Sequence, residues 1–448
     1  MSGSGSNVVT ANLARTWRAT GHDVLLLCQE RNAEHFDFVD AEGDFDRSNA
    51  TFETRPTGAA PADGRFRLAR PSIGSLLPVY VYDAYEGFVV KRFIELSTKE
   101  LDSYVDPNVA ALESAIAEHR PDAIFVNHEV MGPYIAKRAG ATYVVMIHGS
   151  ALEYVVGVDP RFVPYAEAGL GAARAVIGGS RYMIERAAAV VPGWTERGVV
   201  VNPGCDVELF APTGRADQLP IAGFVGKLIA AKGPQDLVTA LGHTKTPELR
   251  SVFVGYGGFQ AELRHLAVAL QAGDVAGALE IARVGEGAPL PAVGRFLEDL
   301  LNGPEDARTA YLERIRSVPI EFTGRLEHGP LSAALPRWDV LVVPSVVPEA
   351  FGMVAAEAAA SGVLPIVPAH SGIGEAGAAV EKAIGRPGLL TYDPSSPIEG
   401  IAEAIDRVLA IPSETRREMG LAAAELARDT WSWERVGERL LEVASSPN

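Results

Sequence analysis

The chain has 448 residues, 47% hydrophobic and 22% charged, with a formal net charge of −17. That length suggests two or three domains with ordinary globular cores. The acidic balance argues against a nucleic-acid binder held by a basic face, and it weakens adsorption to an anionic membrane while leaving room for weak peripheral contact.

Ser2-Gly3-Ser4-Gly5-Ser6-Asn7 leads into a helix-period stretch over 8–19, apolar at Val8, Val9, Ala11, Leu13, Ala14 and Trp17. Gly21 stops that helix, and a strand follows over 22–28. The stretch from Asp37 to Asp46 carries five acidic residues. It lacks the glycine and terminal glutamate of a calcium loop at the required offsets, so it reads as a solvated loop. Strands then read at 123–126, 143–147 and 175–177, with helices near 109–117 and 163–173. Short apolar strands alternating with helices predict a parallel sheet covered on both faces. One element is missing. A doubly wound domain begins with a central strand ahead of its first glycine-rich loop, and here the loop arrives at residue 2. Either the chain is shortened or another segment fills the slot, since an empty slot leaves two ladders unpaired.

Asn202-Pro203-Gly204-Cys205-Asp206 is a turn cluster and the expected domain junction. A second set of strands reads at 222–225, 250–254, 320–323, 340–343, 364–367 and 389–391, with helices at 234–241, 331–335, 352–360 and 398–409. Residues 264–316 read as an insertion of extra helices, with surface embellishment as the plainer alternative. The tail, 413–444, reads as helical and carries Trp431 and Trp433. The expected fold class is therefore α/β, with two Rossmann-like doubly wound domains, the first apparently lacking its opening strand. Cys28 and Cys205 are the only cysteines, and without metal-ligand spacing they read as reduced thiols. No apolar run marks a membrane span and no secretory leader is visible, so a cytoplasmic location is expected.

Chemistry concentrates in the second half. Gly226-Lys227-Leu228 ends a strand, and Lys232-Gly233-Pro234 starts a helix. Two cations at such a junction suit a diphosphate, each contact being charge-assisted; two solvated surface lysines are the plainer reading. Farther on, Pro344-Ser345 follows a strand, and Glu349-Ala350-Phe351-Gly352-Met353 opens an alanine-rich run to Glu357. If both glutamates were helical, roughly 12 Å of rise would separate them. That is too far to share a proton, and it suits two polyols held at either end of a phosphate bridge, as in a nucleotide-sugar. In the first half, His148-Gly149 ends a strand, where a polar residue faces a ligand crevice; a structural histidine is the alternative. His128 has a similar strand-end placement. Tyr80, Tyr82, Tyr85 and Phe88 offer a sugar-stacking wall, with simple core as the plainer reading.

Taken in order, Gly226-Lys227-Leu228-x3-Lys232-Gly233, Phe322-Thr323-Gly324-Arg325, Pro344-Ser345, Glu349-x7-Glu357 with Phe351-Gly352, and Gly372-Ile373-Gly374-Glu375 resemble the GT-B retaining glycosyltransferases of glycosyl transferases group 1, or family 4. Leu13-Ala14-Arg15 to Gly21-His22-Asp23-Val24, and Pro203-Gly204-Cys205-Asp206 through Phe210, are similar to the family pattern as well. The resemblance implies a GT-B fold, two domains facing across a cleft. It assigns 1–205 to an acceptor-side domain and 206–425 to a nucleotide-sugar-binding domain. It also assigns 426–448 to a helix crossing back to the first domain. It implies that Lys227 and Lys232 neutralise the leaving diphosphate, where the family usually has arginine at the first position. Glu349 would hold donor-sugar hydroxyls, assisted by backbone N–H groups near Phe351, Gly352 and Met353. Glu357 would accept from the ribose. Arg325 and Leu326 lie where the base is held, and His148 approaches the reacting sugar. Ser4, Gly5, Ser6 and Asn7 would face the crevice. The family's Gly-Gly-x-Pro-Glu loop is present without its proline.

The implied activity is retaining, metal-independent hexosyl transfer from a UDP- or GDP-sugar to a hydroxyl acceptor (a sugar, a lipid-linked chain or a small metabolite), with no cofactor. A nucleotide-sugar epimerase and a non-catalytic nucleotide-sugar binder are the alternatives. A dinucleotide oxidoreductase is disfavoured, because no Gly-x-Gly-x-x-Gly follows a visible strand.

Overall fold

The computed structural model describes residues 5–83, 85–213 and 219–446. The chain divides into two compact units. The first runs to Pro203 and takes in the segment from Trp433; the second is Gly204–Ser432.

The first unit contains β1 (Asp23–Leu27), β2 (Ala41–Phe45), β3 (Phe52–Pro56), β4 (Arg65–Arg70), β5 (Leu76–Val79), β6 (Val89–Arg92), β7 (Phe125–Asn127), β8 (Val144–Ile147), β9 (Val176–Gly178) and β10 (Gly198–Val200). They form two four-stranded sheets, ordered β1-β4-β2-β3 and β10-β9-β8-β7, and a separate β5-β6 pair. Only β2 and β3 run antiparallel. β1 and β7 are thus edge strands, and among the described residues no strand joins them. The helix Gly5–Ala19 touches both sheets: it packs on β1 and β4, and its Trp17 stacks on Phe125 of β7 at 4.9 Å. The Trp17 indole N–H donates to Gly437 O at 3.2 Å, tying in the helix Trp433–Ser445.

The acidic stretch from Asp37 to Asp46 is not a solvated loop. It contains β2, where Glu42 is buried and bonded by Arg55 and Arg70. Asp40 accepts from Arg18 and from Phe66 N, and the Arg18 guanidinium holds its carboxyl below the usual carboxylate range. Arginines distant in the chain neutralise these acids, so local charge density misleads here.

The second unit contains β11 (Ile221–Val225), β12 (Arg250–Val254), β13 (Ile320–Gly324), β14 (Val340–Val342), β15 (Leu364–Pro368) and β16 (Thr391–Tyr392). They make one parallel sheet ordered β13-β12-β11-β14-β15-β16. The chain first winds outward from β11 to β13, then returns to start again at β14. That reversal makes a topological switch point between β11 and β14, at whose carboxyl ends ligands bind in open α/β sheets. Four helices lie between β12 and β13: Gln260–Ala272, Val275–Val284, Pro291–Asn302 and Glu305–Ser317. They are not surface embellishment, because Leu263, Leu266, Leu297 and Ile315 are fully buried in the core. The long C-terminal helix Ser413–Trp431 is pinned by Arg416, which donates to Asp339 at 2.9 Å; Asp339 also accepts from Ile221 N.

Candidate functional site

At the end of β11 the backbone turns at Gly226. Leu228 is buried and bonded both ways to the next loop, its N–H donating to Tyr256 O and its carbonyl accepting from Phe259 N. This anchoring leaves Lys227 exposed at the strand end, with no ion pair among the described residues. A single 3-10 turn, Ala230–Lys232, then delivers Gly233 in the left-handed region, with φ +72°. A Cβ on Gly233 would lie 1.8 Å from Pro344 O, so only glycine lets the β11 loop touch the β14 loop.

That close approach joins two predicted residues 117 positions apart. Lys232 Nζ donates to Glu349 Oε1 at 2.9 Å. The Ser345 hydroxyl donates to the same oxygen. Glu349 N–H donates to Ser371 Oγ at 3.0 Å, and Glu349 O accepts from Gly372 N at 2.9 Å. His370 completes the surroundings, its ring bridging Ser371 Oγ at 2.9 Å and Ser345 O at 3.1 Å.

Phe351 is buried edge-on against Trp431, with centroids 5.4 Å apart. Gly352 has φ +96°, and an added Cβ would lie 2.1 Å from Ile373 Cδ1. The left-handed step lets the chain start the helix Met353–Ala360 with Met353 as its first residue. Glu349 therefore precedes the helix, and the both-helical spacing assumed from the sequence does not apply. Glu357 lies half-buried on the second turn. Burial, then the nearby Asp206, pushes its carboxyl up to about 7. Arg325 and Leu326 follow β13. Arg325 is ion-paired to Glu327 at 2.9 Å and stands 5.3 Å from the Tyr256 ring; Leu326 packs on the core.

In the first unit, His148 and His128 meet edge to face at 5.1 Å, beyond the ends of β8 and β7. His148 Nε2 lies 2.7 Å from Asn127 Oδ1. Since that oxygen only accepts, Nε2 carries the proton and Nδ1 is the acceptor. Burial pushes His148 down to about 4, and burial with His148 nearby pushes His128 down to about 3. Glu129, fully buried, accepts from His148 N at 2.9 Å and Gly149 N at 2.6 Å. The signal for Glu129 in the sequence is an acid two positions after β7. Tyr80 sits 4.5 Å from His128 with its hydroxyl donating to Val130 O. Tyr82 and Tyr85 are exposed, and Phe88 lies under Arg31. Gly5 and Ser6 begin the first helix, and Ser6 O accepts from Thr10 Oγ1 at 2.9 Å. Ser4 falls outside the described residues.

Residues 4–204 match the glycosyl transferase 4-like domain, and residues 293–426 match glycosyl transferases group 1. A D-inositol 3-phosphate glycosyltransferase of Corynebacterium glutamicum is 30% identical over 261 residues, 54% of this chain and 50% of that protein. A GDP-mannose-dependent monoacylated alpha-(1-6)-phosphatidylinositol monomannoside mannosyltransferase of Corynebacterium glutamicum is 24% identical over 263 residues, 54% of this chain and 55% of that protein. The chain spans about half the length of the curated relatives it matches. Among solved structures, sucrose-phosphate synthase from Thermosynechococcus elongatus superposes with a TM-score of 0.58 at 18% identity, covering 98% of this chain and 92% of that one. Anabaena HepE in complex with UDP and glucose gives 0.59 at 14% identity, covering 99% and 96%. At these identities the likeness is one of fold.

Proposed function

The chain belongs to the glycosyl transferases group 1 and has their two-domain GT-B fold, and from that premise we propose that it moves a hexosyl group from a nucleotide diphosphate sugar to a hydroxyl acceptor with retention at the anomeric carbon. One observation carries the reading: at the switch point of the second sheet, Lys232 and Glu349 are bonded to each other from the ends of neighbouring strands, and Lys227 is exposed just after β11. A cation for phosphate and an acid for sugar hydroxyls stand within one contact.

In this mechanism the C1–O bond to the diphosphate breaks through an oxocarbenium-like state. Charge grows on the leaving phosphate oxygen, where Lys227 and Lys232 bind it better than in the ground state. The acceptor hydroxyl attacks C1 from the same face, and its proton passes to the departing phosphate. The lysines take the place of a metal cation. Glu349, with the backbone N–H groups of Phe351, Gly352 and Met353, holds the sugar. Glu357 accepts from the ribose, and Arg325 and Leu326 flank the base. His148, Gly5 and Ser6 serve the sugar and acceptor side. UDP and GDP are the candidate bases, since HepE was solved with UDP and one relative is named for GDP-mannose. Two free thiols fit a reducing cytoplasmic location. No helix among the described residues is long and apolar enough to cross a membrane.

Thermal shift with UDP and GDP tests the donor site. A nucleotide at about 100 times its Kd adds about 2.7 kcal/mol, and Glu357→Ala abolishes the gain. No shift with either nucleotide removes the assignment. The rival reading is a binder that keeps its donor site without transferring. Release of free sugar or transfer to an added alcohol separates the two.

A further inference from the structure

Two short segments, 345–349 and 370–371, are joined by hydrogen bonds that close a circuit on Glu349. Ser345 O is a carbonyl and accepts only, so His370 Nε2, 3.1 Å away, carries the ring proton. In the neutral ring Nδ1 then has a lone pair, which takes the Ser371 hydroxyl proton at 2.9 Å. The Ser371 oxygen, its proton committed, accepts Glu349 N–H at 3.0 Å. From the other side, the Ser345 hydroxyl donates to Glu349 Oε1. The circuit runs from the Glu349 backbone through Ser371, His370 and Ser345 to the Glu349 carboxylate, and every donor finds an acceptor in one sense only.

The backbone supports the same arrangement. Ser371 has φ +51°, a left-handed conformation that costs a non-glycine residue strain. Gly372 N–H returns to Glu349 O, and Gly374 N–H returns to His370 O. Ser345 is buried, while His370, Ser371 and Glu349 are half-buried. Lys232 occupies the same carboxylate oxygen as Ser345. The second oxygen, Oε2, is the one the circuit leaves for a hydroxyl.

We propose that His370 is the positioning residue of the donor-sugar site, fixing the direction of the Glu349 carboxylate through Ser371 on one side and Ser345 on the other. This rests on the donor reading above and deepens it. His370 touches no part of the nucleotide in this scheme, so its removal affects recognition of the hexose and spares the nucleoside diphosphate. A role confined to folding would weaken both alike.

The test compares UDP and GDP with UDP-glucose and GDP-mannose by calorimetry, in the wild type and in His370→Leu, His370→Gln and Ser371→Gly. A hydrogen bond to a charged group contributes roughly 10- to 100-fold in affinity. The sugar-to-nucleotide affinity ratio should fall about tenfold or more in His370→Leu and Ser371→Gly, with nucleotide affinity unchanged. His370→Gln, whose amide N–H still reaches Ser345 O, should recover part of the loss. Ser371→Gly relieves the left-handed strain while deleting the relay, so it keeps the test decisive if His370→Leu fails to fold. A ratio equal to wild type in Ser371→Gly overturns the role of the circuit alone. A wild type that binds none of the four ligands overturns the donor reading and this assignment with it.

Discussion

A pH titration of nucleotide affinity, in the wild type and in Glu357→Gln, reads the state of a single carboxyl. Burial, then the like charge of Asp206, pushes Glu357 up to about 7. A ribose diol donates to the ionised form, so apparent affinity follows the ionised fraction. With a midpoint near 7, that fraction is roughly 9% at about pH 6 and roughly 91% at about pH 8. The Kd for UDP or GDP should therefore fall about tenfold across that interval. The nucleotide phosphate ionises in the same range, and Glu357→Gln retains that contribution, so the ratio of the two profiles isolates the side chain. Asp206→Asn should move the wild-type profile to lower pH, because the like charge is gone. Folding shows the opposite trend. The native pKa lies above the ordinary 4.5, so this group's contribution to stability is greatest below that value, falls as pH rises through about 7, and is level beyond. Calorimetry and urea unfolding at three pH values supply both readouts. A wild-type to Glu357→Gln affinity ratio that stays flat from acid to neutral refutes the reasoning.

Other outcomes follow from single contacts. Lys232→Ala should lower kcat by about 10²–10³ in steady-state kinetics, because a preorganised cation is lost from the leaving group; an unchanged kcat removes that role. Arg416→Leu removes the cation paired with Asp339, whose side chain is 0% exposed, and should cost about 3–5 kcal/mol in urea unfolding. Gly352→Ala sets a Cβ 2.1 Å from Ile373 Cδ1 at φ +96°; a loss of about 1–3 kcal/mol is expected from strain and overpacking. His148 should stay neutral as the Nε2–H tautomer through neutral pH and titrate at about 4, which nitrogen chemical shifts will show; a midpoint near 6.5 contradicts its burial.

The second half was the more legible. β11, β12, β14 and β15 are buried on both faces, so each is a near-continuous apolar run between glycine or proline breaks. The first half was read more poorly. β2 and β3 are mixed in composition, and β5 and β6 are short and pair only with each other. β2 was hidden by the acids in it and just before it, whose partners Arg18, Arg55 and Arg70 sit in other elements. Glu129 and His370 escaped for a related reason. Glu129 bonds backbone N–H groups 19 and 20 residues away, His370 reaches Ser345 25 residues away, and neither belongs to a spaced motif.

Residue order alone determined the alternation of strands and helices, the lysines and glutamates worth watching, and the glycines beside them. These are local matters of period, turn chemistry and charge. The tertiary structure decided which residues meet: that Gly233 lies against Pro344 and so brings Lys232 to Glu349, and that two loops, 345–349 and 370–371, close a circuit through His370. Contacts across more than a hundred residues depend on strand order and close packing, which no local pattern encodes.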